Sequence, residues 1–147
     1  LDNIRSLNNI GSIFRTCDSF NVEKIFLCGI CGTPPHREIN KTALGATEFV
    51  SWEYHESTIE VINNLKKNNY KIVCVEQTKN SKDLNSFLNK KNEKIAFIFG
   101  NEVKGVSNEV ISNSNLCLKI PQFGQKKSMN VSVCVGIVLW NEHIKQI

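Results

Sequence analysis

Histidine is scarce in this chain, a second cysteine pair is missing, and no apolar stretch approaches the roughly 18 residues that a membrane-spanning helix requires. Each absence removes a class of function. With three histidines and the lone C-x-x-C of Cys28-Gly29-Ile30-Cys31, a four-ligand zinc site has no partners at the usual spacings. That pair is expected to be two thiols at a strand end, with no metal. No charged-then-apolar leader is visible, so neither a membrane anchor nor a secretory signal is expected. A G-x-G-x-x-G fingerprint is absent, which argues against a dinucleotide-binding fold of the usual type. Neither an internal repeat nor a Pro/Ser-rich linker interrupts the chain, so residues 1–147 are expected to form one domain.

The composition that remains is globular. Hydrophobic residues make up 41% and charged residues 22% of 147 positions, enough to bury one sizeable core and far from the polarity of a disordered chain. Eighteen basic against fourteen acidic side chains give a formal charge of +4, which suits a polyanionic partner without requiring one. Lys66-Lys67 and Lys90-Lys91 are expected on solvated surfaces, whereas Lys126-Lys127 lies inside a motif described below. The six cysteines, Cys17, Cys28, Cys31, Cys74, Cys117 and Cys134, sit mostly within apolar stretches, as buried free thiols do in reducing compartments. The expected location is therefore cytoplasmic.

Hydrophobic periodicity gives the elements. Ile10, Ile13, Phe14, Cys17 and Phe20 recur at three- and four-residue steps after Asn8 and Asn9, predicting a helix opened by a capping residue. Lys24 to Cys28 is a short apolar run, and the loop through Pro34-Pro35-His36-Arg37 is expected to be irregular. Phe49 to Tyr54 reads as a strand, and Ser57 with Glu60 forms an S-x-x-E box opening a helix that ends near Asn68-Asn69. Ile72 to Val75, Ile95 to Phe99 and Leu116 to Ile120 read as strands joined by crossovers. This alternation predicts an α/β fold, a mostly parallel sheet flanked by helices. From Met129 to Ile147 the signals conflict: Val131, Val133, Val135 and Ile137 alternate like a strand, while length and apolar character suit a buried helix.

Three segments place Gly beside polar residues where an apolar element begins or ends. They are Asn8-Asn9-Ile10-Gly11-Ser12-Ile13-Phe14-Arg15-Thr16, then Phe99-Gly100-Asn101-Glu102-Val103-Lys104-Gly105, then Ile120-Pro121-Gln122-Phe123-Gly124-Gln125-Lys126-Lys127-Ser128-Met129-Asn130-Val131-Ser132. The second and third follow strands, where ligands collect in open parallel sheets and where glycine lets backbone approach a ligand closely. A phosphate-binding loop is the competing reading, because Gly100 and Gly105 have the G-x-x-x-x-G-K-[ST] spacing. It fails at Val106, which stands where the lysine must reach the phosphates.

In residue type and order the three segments resemble the motifs of the SpoU-type (TrmH-like) RNA 2′-O-ribose methyltransferases of the SPOUT superfamily, and the resemblance covers nearly the whole chain. It implies a C-terminal deep trefoil knot, a helix after Met129 packed against a second subunit, and a homodimer. It implies transfer of a methyl group from S-adenosylmethionine to a ribose 2′-hydroxyl in tRNA or rRNA. Because Leu1 runs almost at once into the first motif, an upstream strand or extension is expected to precede it.

By the same resemblance, Val75, Glu76, Gln77, Gly100, Asn101, Gly105, Ile120 and Met129 are expected against the cofactor. Arg15 takes the catalytic arginine position, with Asn9, Glu102, Ser128 and Asn130 around it. Neutralising an arginine at pH 7 costs roughly 7 kcal/mol from its reference pKa, so the guanidinium is better read as a clamp on the adjoining RNA phosphate and a stabiliser of developing charge. Asn9 is expected to orient Arg15, or to be only a helix cap. Glu102 is expected to hold Arg15 or neighbouring backbone, or to be a solvated loop carboxylate. Ser128 and Asn130 would contact phosphate or ribose, or cap the last helix. A catalytically silent RNA-binding protein of the same fold is the alternative.

Overall fold

The structure, a computed structural model, describes residues 1–90 and 92–145. Lys91 of the second lysine pair and the last two residues of the expected C-terminal element lie outside the described residues.

Helix α1, Leu7–Ser19, turns Ile10, Ile13, Phe14 and Cys17 inward on one stripe. Its cap is Ser6, whose Oγ accepts from Asn9 N at 3.1 Å, so Asn8 and Asn9 lie inside the first turn, where their side chains are free for other partners. Strand β1 is Lys24–Cys28. A short helix α2, Arg37–Ala43, follows the proline loop directly, capped by His36 Nδ1 accepting from Glu38 N at 3.1 Å. The Gly/Pro signals hid a helix of only seven residues. A 3-10 turn at Ala46–Glu48 then delays β2 to Ser51–His55, two residues later than expected, and leaves Phe49 outside the strand.

Helix α3, Thr58–Lys67, starts at the expected box, with Ser57 Oγ accepting from Glu60 N at 3.4 Å. Strand β3 is Lys71–Val75, β4 the two-residue Lys82–Asp83, β5 Ile95–Phe99, and β6 Leu116–Lys119, with a short helix α4, Asn108–Ser112, between the last two. The ambiguous C-terminal segment is helix α5, Val131–Ile144. Val131, Val135 and Val138 are buried at helical steps while Val133 is 50% exposed, so the alternating valines reflect an element apolar on all sides.

All pairings between named strands are parallel. β1 pairs with β2, and β4, β6, β3 and β5 lie in that order. Residues 1–3 join the two groups: Asp2 N donates to Phe99 O at 2.8 Å on one side, and Cys28 N donates to Leu1 O at 3.0 Å on the other. Period-2 alternation splits β3 and its neighbours between two cores. Val73 and Leu118 pack with α1, α2 and α5, whereas Ile72, Cys74 and Ile98 pack with α3 and α4. The carboxyl ends of β3, β5 and β6 therefore open side by side at one edge.

Candidate active site

Three loops meet at those strand ends around a cavity of about 620 Å³. All eight residues expected against a cofactor line it: Val75, Glu76 and Gln77 after β3, Gly100, Asn101 and Gly105 after β5, and Ile120 and Met129 after β6. Glu102 and Ser128 line it as well. Thr78 and Lys119 at strand ends, Gln122 of the third motif and Cys134 near the start of α5 also line the wall. A second hollow, about 410 Å³ between β1 and β5, touches the three motifs at Ile13 and Phe99 alone among the described residues.

The loop after β5 has little freedom. Asn101 N and Gly105 N exchange hydrogen bonds with each other's carbonyls at 3.1 and 2.8 Å, and Asn101 Oδ1 accepts from Val103 N and Lys104 N, both at 2.9 Å. Asn101 Nδ2 donates to Asn3 O at 2.8 Å, tying the loop to residues 1–3. The Asn101 side chain is thus spent on loop shape. A Cβ on Gly100 would collide with Val106 N and the Gly105 carbonyl carbon, and Gly105 has φ +67° with its open side filled by the Glu76 carboxylate. That carboxylate accepts from Val106 N at 3.0 Å and from its own neighbour Gln77 N at 2.9 Å.

Glu102 reaches from this loop to the start of α1. Its Oε2 accepts from Arg5 N and its Oε1 from Ser6 N, each at 3.0 Å, and Oε1 also accepts from Asn9 Nδ2 at 3.3 Å. Burial works against the charge, but these donors outweigh it and hold the carboxyl below its ordinary range. Asn9 Oδ1 in turn accepts from Asn130 Nδ2 at 3.1 Å, and Asn130 Oδ1 caps α5 by accepting from Ser132 N at 2.9 Å. A directed chain of hydrogen bonds therefore links third motif to first and first to second, across 121 and 93 residues of sequence.

The contacts select among the alternatives for Glu102 and change the expected partner of Asn9. Glu102 holds backbone, not Arg15, and Asn9 is engaged by Glu102 and Asn130, not by Arg15. Six residues separate Asn9 from Arg15, so at roughly 100° per residue they stand about 120° apart around α1. Gly11 marks the flank nearer to Arg15: a Cβ there would collide with Thr42 Oγ1 and Ile39 O of α2. Arg15 is exposed, and it does not line the cavity of its own chain. Among the described residues no hydrogen bond or ion pair engages its guanidinium; its carbonyl accepts from Ser19 Oγ at 3.1 Å. Ser128 reaches the cavity wall with its residue exposed.

The described residues contain no group of three His, Cys, Asp or Glu side chains placed to hold a metal ion. No helix among them is long and apolar enough to cross a membrane. The six cysteines are free, and burial pushes the Cys17 thiol up to about 12 and raises Cys28, Cys31, Cys74 and Cys134, so these thiols stay protonated at neutral pH.

Parallel strands whose carboxyl ends open on one cavity, with the second and third motifs tied by hydrogen bonds to the start of α1, form an α/β small-molecule site. Residues 1–140 match the model of the SpoU rRNA Methylase family, and the chain belongs to that family. It is 31% identical over 140 residues to an uncharacterized tRNA/rRNA methyltransferase of Borreliella burgdorferi, covering 95% of this chain and 60% of that protein. It is 28% identical over 140 residues to the tRNA (guanosine(18)-2′-O)-methyltransferase of Thermus thermophilus, covering 95% of this chain and 70% of that one. The AdoMet-bound rRNA methyltransferase from Sinorhizobium meliloti superposes with a TM-score of 0.92 at 24% identity, covering all of this chain and 55% of that structure. The chain thus spans a little over half the length of several relatives it matches.

Proposed function

We propose that residues 1–147 are the catalytic domain of an S-adenosylmethionine-dependent RNA methyltransferase that modifies a ribose 2′-hydroxyl in tRNA or rRNA. The observation that carries this reading is the hydrogen-bonded chain Asn130–Asn9–Glu102, which ties the first and third motifs to Glu102 on the cavity wall.

The cavity fits the cofactor. Gly100 and Gly105 allow the loop after β5 to fold tightly against Val106 and Glu76 at the cavity wall, Ile120, Met129 and Val75 offer apolar contact, and Glu76, Gln77 and Ser128 add polar groups. When bound, S-adenosylmethionine supplies an activated methyl group on a sulfonium. The chain's own residues must bring the ribose oxygen in line with that methyl and manage its proton. Asn9, held by Glu102 and Asn130, presents a fixed amide at the start of α1, and Ser128 supplies a hydroxyl on the cavity wall. Arg15 clamps the phosphate next to the reacting ribose and stabilises the developing alkoxide.

Because Arg15 lies on the α2 flank of α1, away from its own chain's cavity, we assign it to the cavity of a partner copy in a homodimer. Val133, Trp140 and Ile144 of α5, respectively 50%, 52% and 47% exposed, supply an apolar surface for that association. The C-terminal trefoil knot, the reducing cytoplasmic location and RNA contact by Lys126-Lys127 and the Pro34 to Arg37 loop belong to the same proposal.

Calorimetry with S-adenosylmethionine tests the pocket, and release of S-adenosylhomocysteine on adding tRNA or rRNA tests the reaction. Arg15→Ala should abolish turnover with cofactor affinity kept, and mixing it with a Gly100→Val copy should restore part of the activity. Full turnover by Arg15→Ala removes the catalytic assignment. Cofactor binding without turnover on any RNA favours a silent RNA-binding module.

A further inference from the structure

Two carboxylates line the cavity, and they are held differently. Glu102 gives both oxygens to three donors at the start of α1, where the partial positive charge of the helix end offsets it. Among the described residues Glu76 accepts from Val106 N and Gln77 N, one on each oxygen, which leaves about two of its roughly four acceptor sites unused. Gly105, without a side chain, lets this carboxylate stand against the loop at the cavity wall. The cations nearby do not cancel it. Lys119 is drawn to Asp83 at 3.5 Å, and Lys104 and Lys127 are exposed on flexible stems.

Resting on the cofactor assignment above, we infer that Glu76 is the residue that makes this cavity prefer the cationic methyl donor to its neutral product. S-adenosylmethionine carries a sulfonium charge that S-adenosylhomocysteine lacks, while the adenine, ribose and amino acid groups are shared. A fixed carboxylate on the wall of a cavity this size lies within about 10 Å of the sulfur, where a unit charge pair at an effective dielectric near 20 changes affinity about 10-fold. The preference speeds exchange of product for fresh donor. It weakens as the sulfonium charge is lost during transfer, so Glu76 contributes to donor binding and not to stabilisation of the transition state.

The test is calorimetry of both ligands on the whole chain and on two variants. Glu76→Gln keeps a carbonyl to accept from Val106 N but removes the charge. Its ratio of S-adenosylhomocysteine to S-adenosylmethionine dissociation constants should fall about 5- to 20-fold, with S-adenosylhomocysteine affinity within about twofold of the parent. Glu76→Asp, which keeps the charge but shortens the reach, should preserve the ratio even where both affinities weaken. With RNA added, Glu76→Gln should raise the KM for S-adenosylmethionine and deepen product inhibition. Equal loss for both ligands in Glu76→Gln, or an unchanged ratio, overturns the inference and leaves the cofactor assignment standing. If the parent chain binds neither ligand, the cofactor assignment itself fails.

Discussion

Replacing Glu102 by Gln removes one charge and turns one of two acceptor oxygens into a donor. Either Arg5 N, or Ser6 N together with Asn9 Nδ2, then faces an amide N–H₂ and goes unsatisfied. Hydrogen bonds to a charged group contribute about 1.5–3 kcal/mol when well buried, and the helix-end interaction adds about 0.3–1 kcal/mol. Glu102 is largely exposed, so solvent screening cuts these values, and a net destabilisation of about 1–2 kcal/mol is expected at pH 7.5. The pH dependence gives the sharper check. The folded protein holds this carboxyl below its ordinary value of 4.5, so the stabilisation is present in full above about 4.5 and is lost as pH falls through the lower folded value. Urea unfolding of parent and Glu102→Gln should therefore differ most near pH 7 and converge towards pH 3. A double-mutant cycle with Asn9→Ala should show coupling of about 0.5–1 kcal/mol. A pH-independent difference would mean that the charge contributes nothing and that the loss comes from the missing acceptor oxygen alone.

Gly11→Ala should destabilise by about 1–3 kcal/mol in urea unfolding despite the higher helix propensity of Ala, because the new Cβ collides with Thr42 Oγ1 and Ile39 O and forces α1 and α2 apart. Gly124→Ala, whose added methyl would meet no atom within 4 Å, should stay within about 0.5 kcal/mol by the same assay. Gly105→Ala combines a φ of +67° with displacement of the Glu76 carboxylate, so calorimetry should show at least a 10-fold loss of S-adenosylmethionine affinity. Labelling the native chain with a maleimide at pH 7.5 should modify Cys17 and Cys74 only upon unfolding, since both are buried and their thiols are held protonated.

How much of this was legible beforehand depends on the range of the interaction involved. Long amphipathic elements read cleanly: the stripe Ile10, Ile13, Phe14, Cys17 and the Ser57–Glu60 box each encode their own helix locally. Strands β1, β3, β5 and β6 were visible as short apolar runs. Helix α2 was not, because seven residues carry barely two turns of periodicity and two prolines stand just before it. The alternating valines of α5 misled periodicity for a different reason: an element apolar on all sides has no stripe to read, and only burial at Val131, Val135 and Val138 separates the two conformations.

The cavity wall was legible because glycines, strand ends and motif order coincide there, and all eight expected lining residues meet. The polar centre was legible only as a set of residues. Nothing local in the Gly100 to Gly105 loop indicates that Glu102 would cap a helix starting at residue 7, since the two N–H donors it satisfies are 97 and 96 residues away. Asn9 illustrates the same limit. As a cap it would have spent its side chain on its own helix; because Ser6 takes that role, the Asn9 amide is released to bridge Glu102 and Asn130.

The position of Arg15 follows from that same shift of the cap. With the helix starting at Leu7, the flank carrying Asn9 and Thr16 turns towards Asn130 and Gly136, and the flank carrying Gly11 turns against α2. Arg15, one turn beyond Gly11, cannot share a cavity edge with Asn9 in the same chain without breaking the close α1–α2 approach. If the arginine nonetheless serves the reaction, two copies are needed for one complete site. Turnover per chain should then fall on dilution below the dimer dissociation constant, while calorimetric cofactor binding persists. Activity that stays proportional to concentration through that range, with monomers shown by light scattering, would refute the shared site.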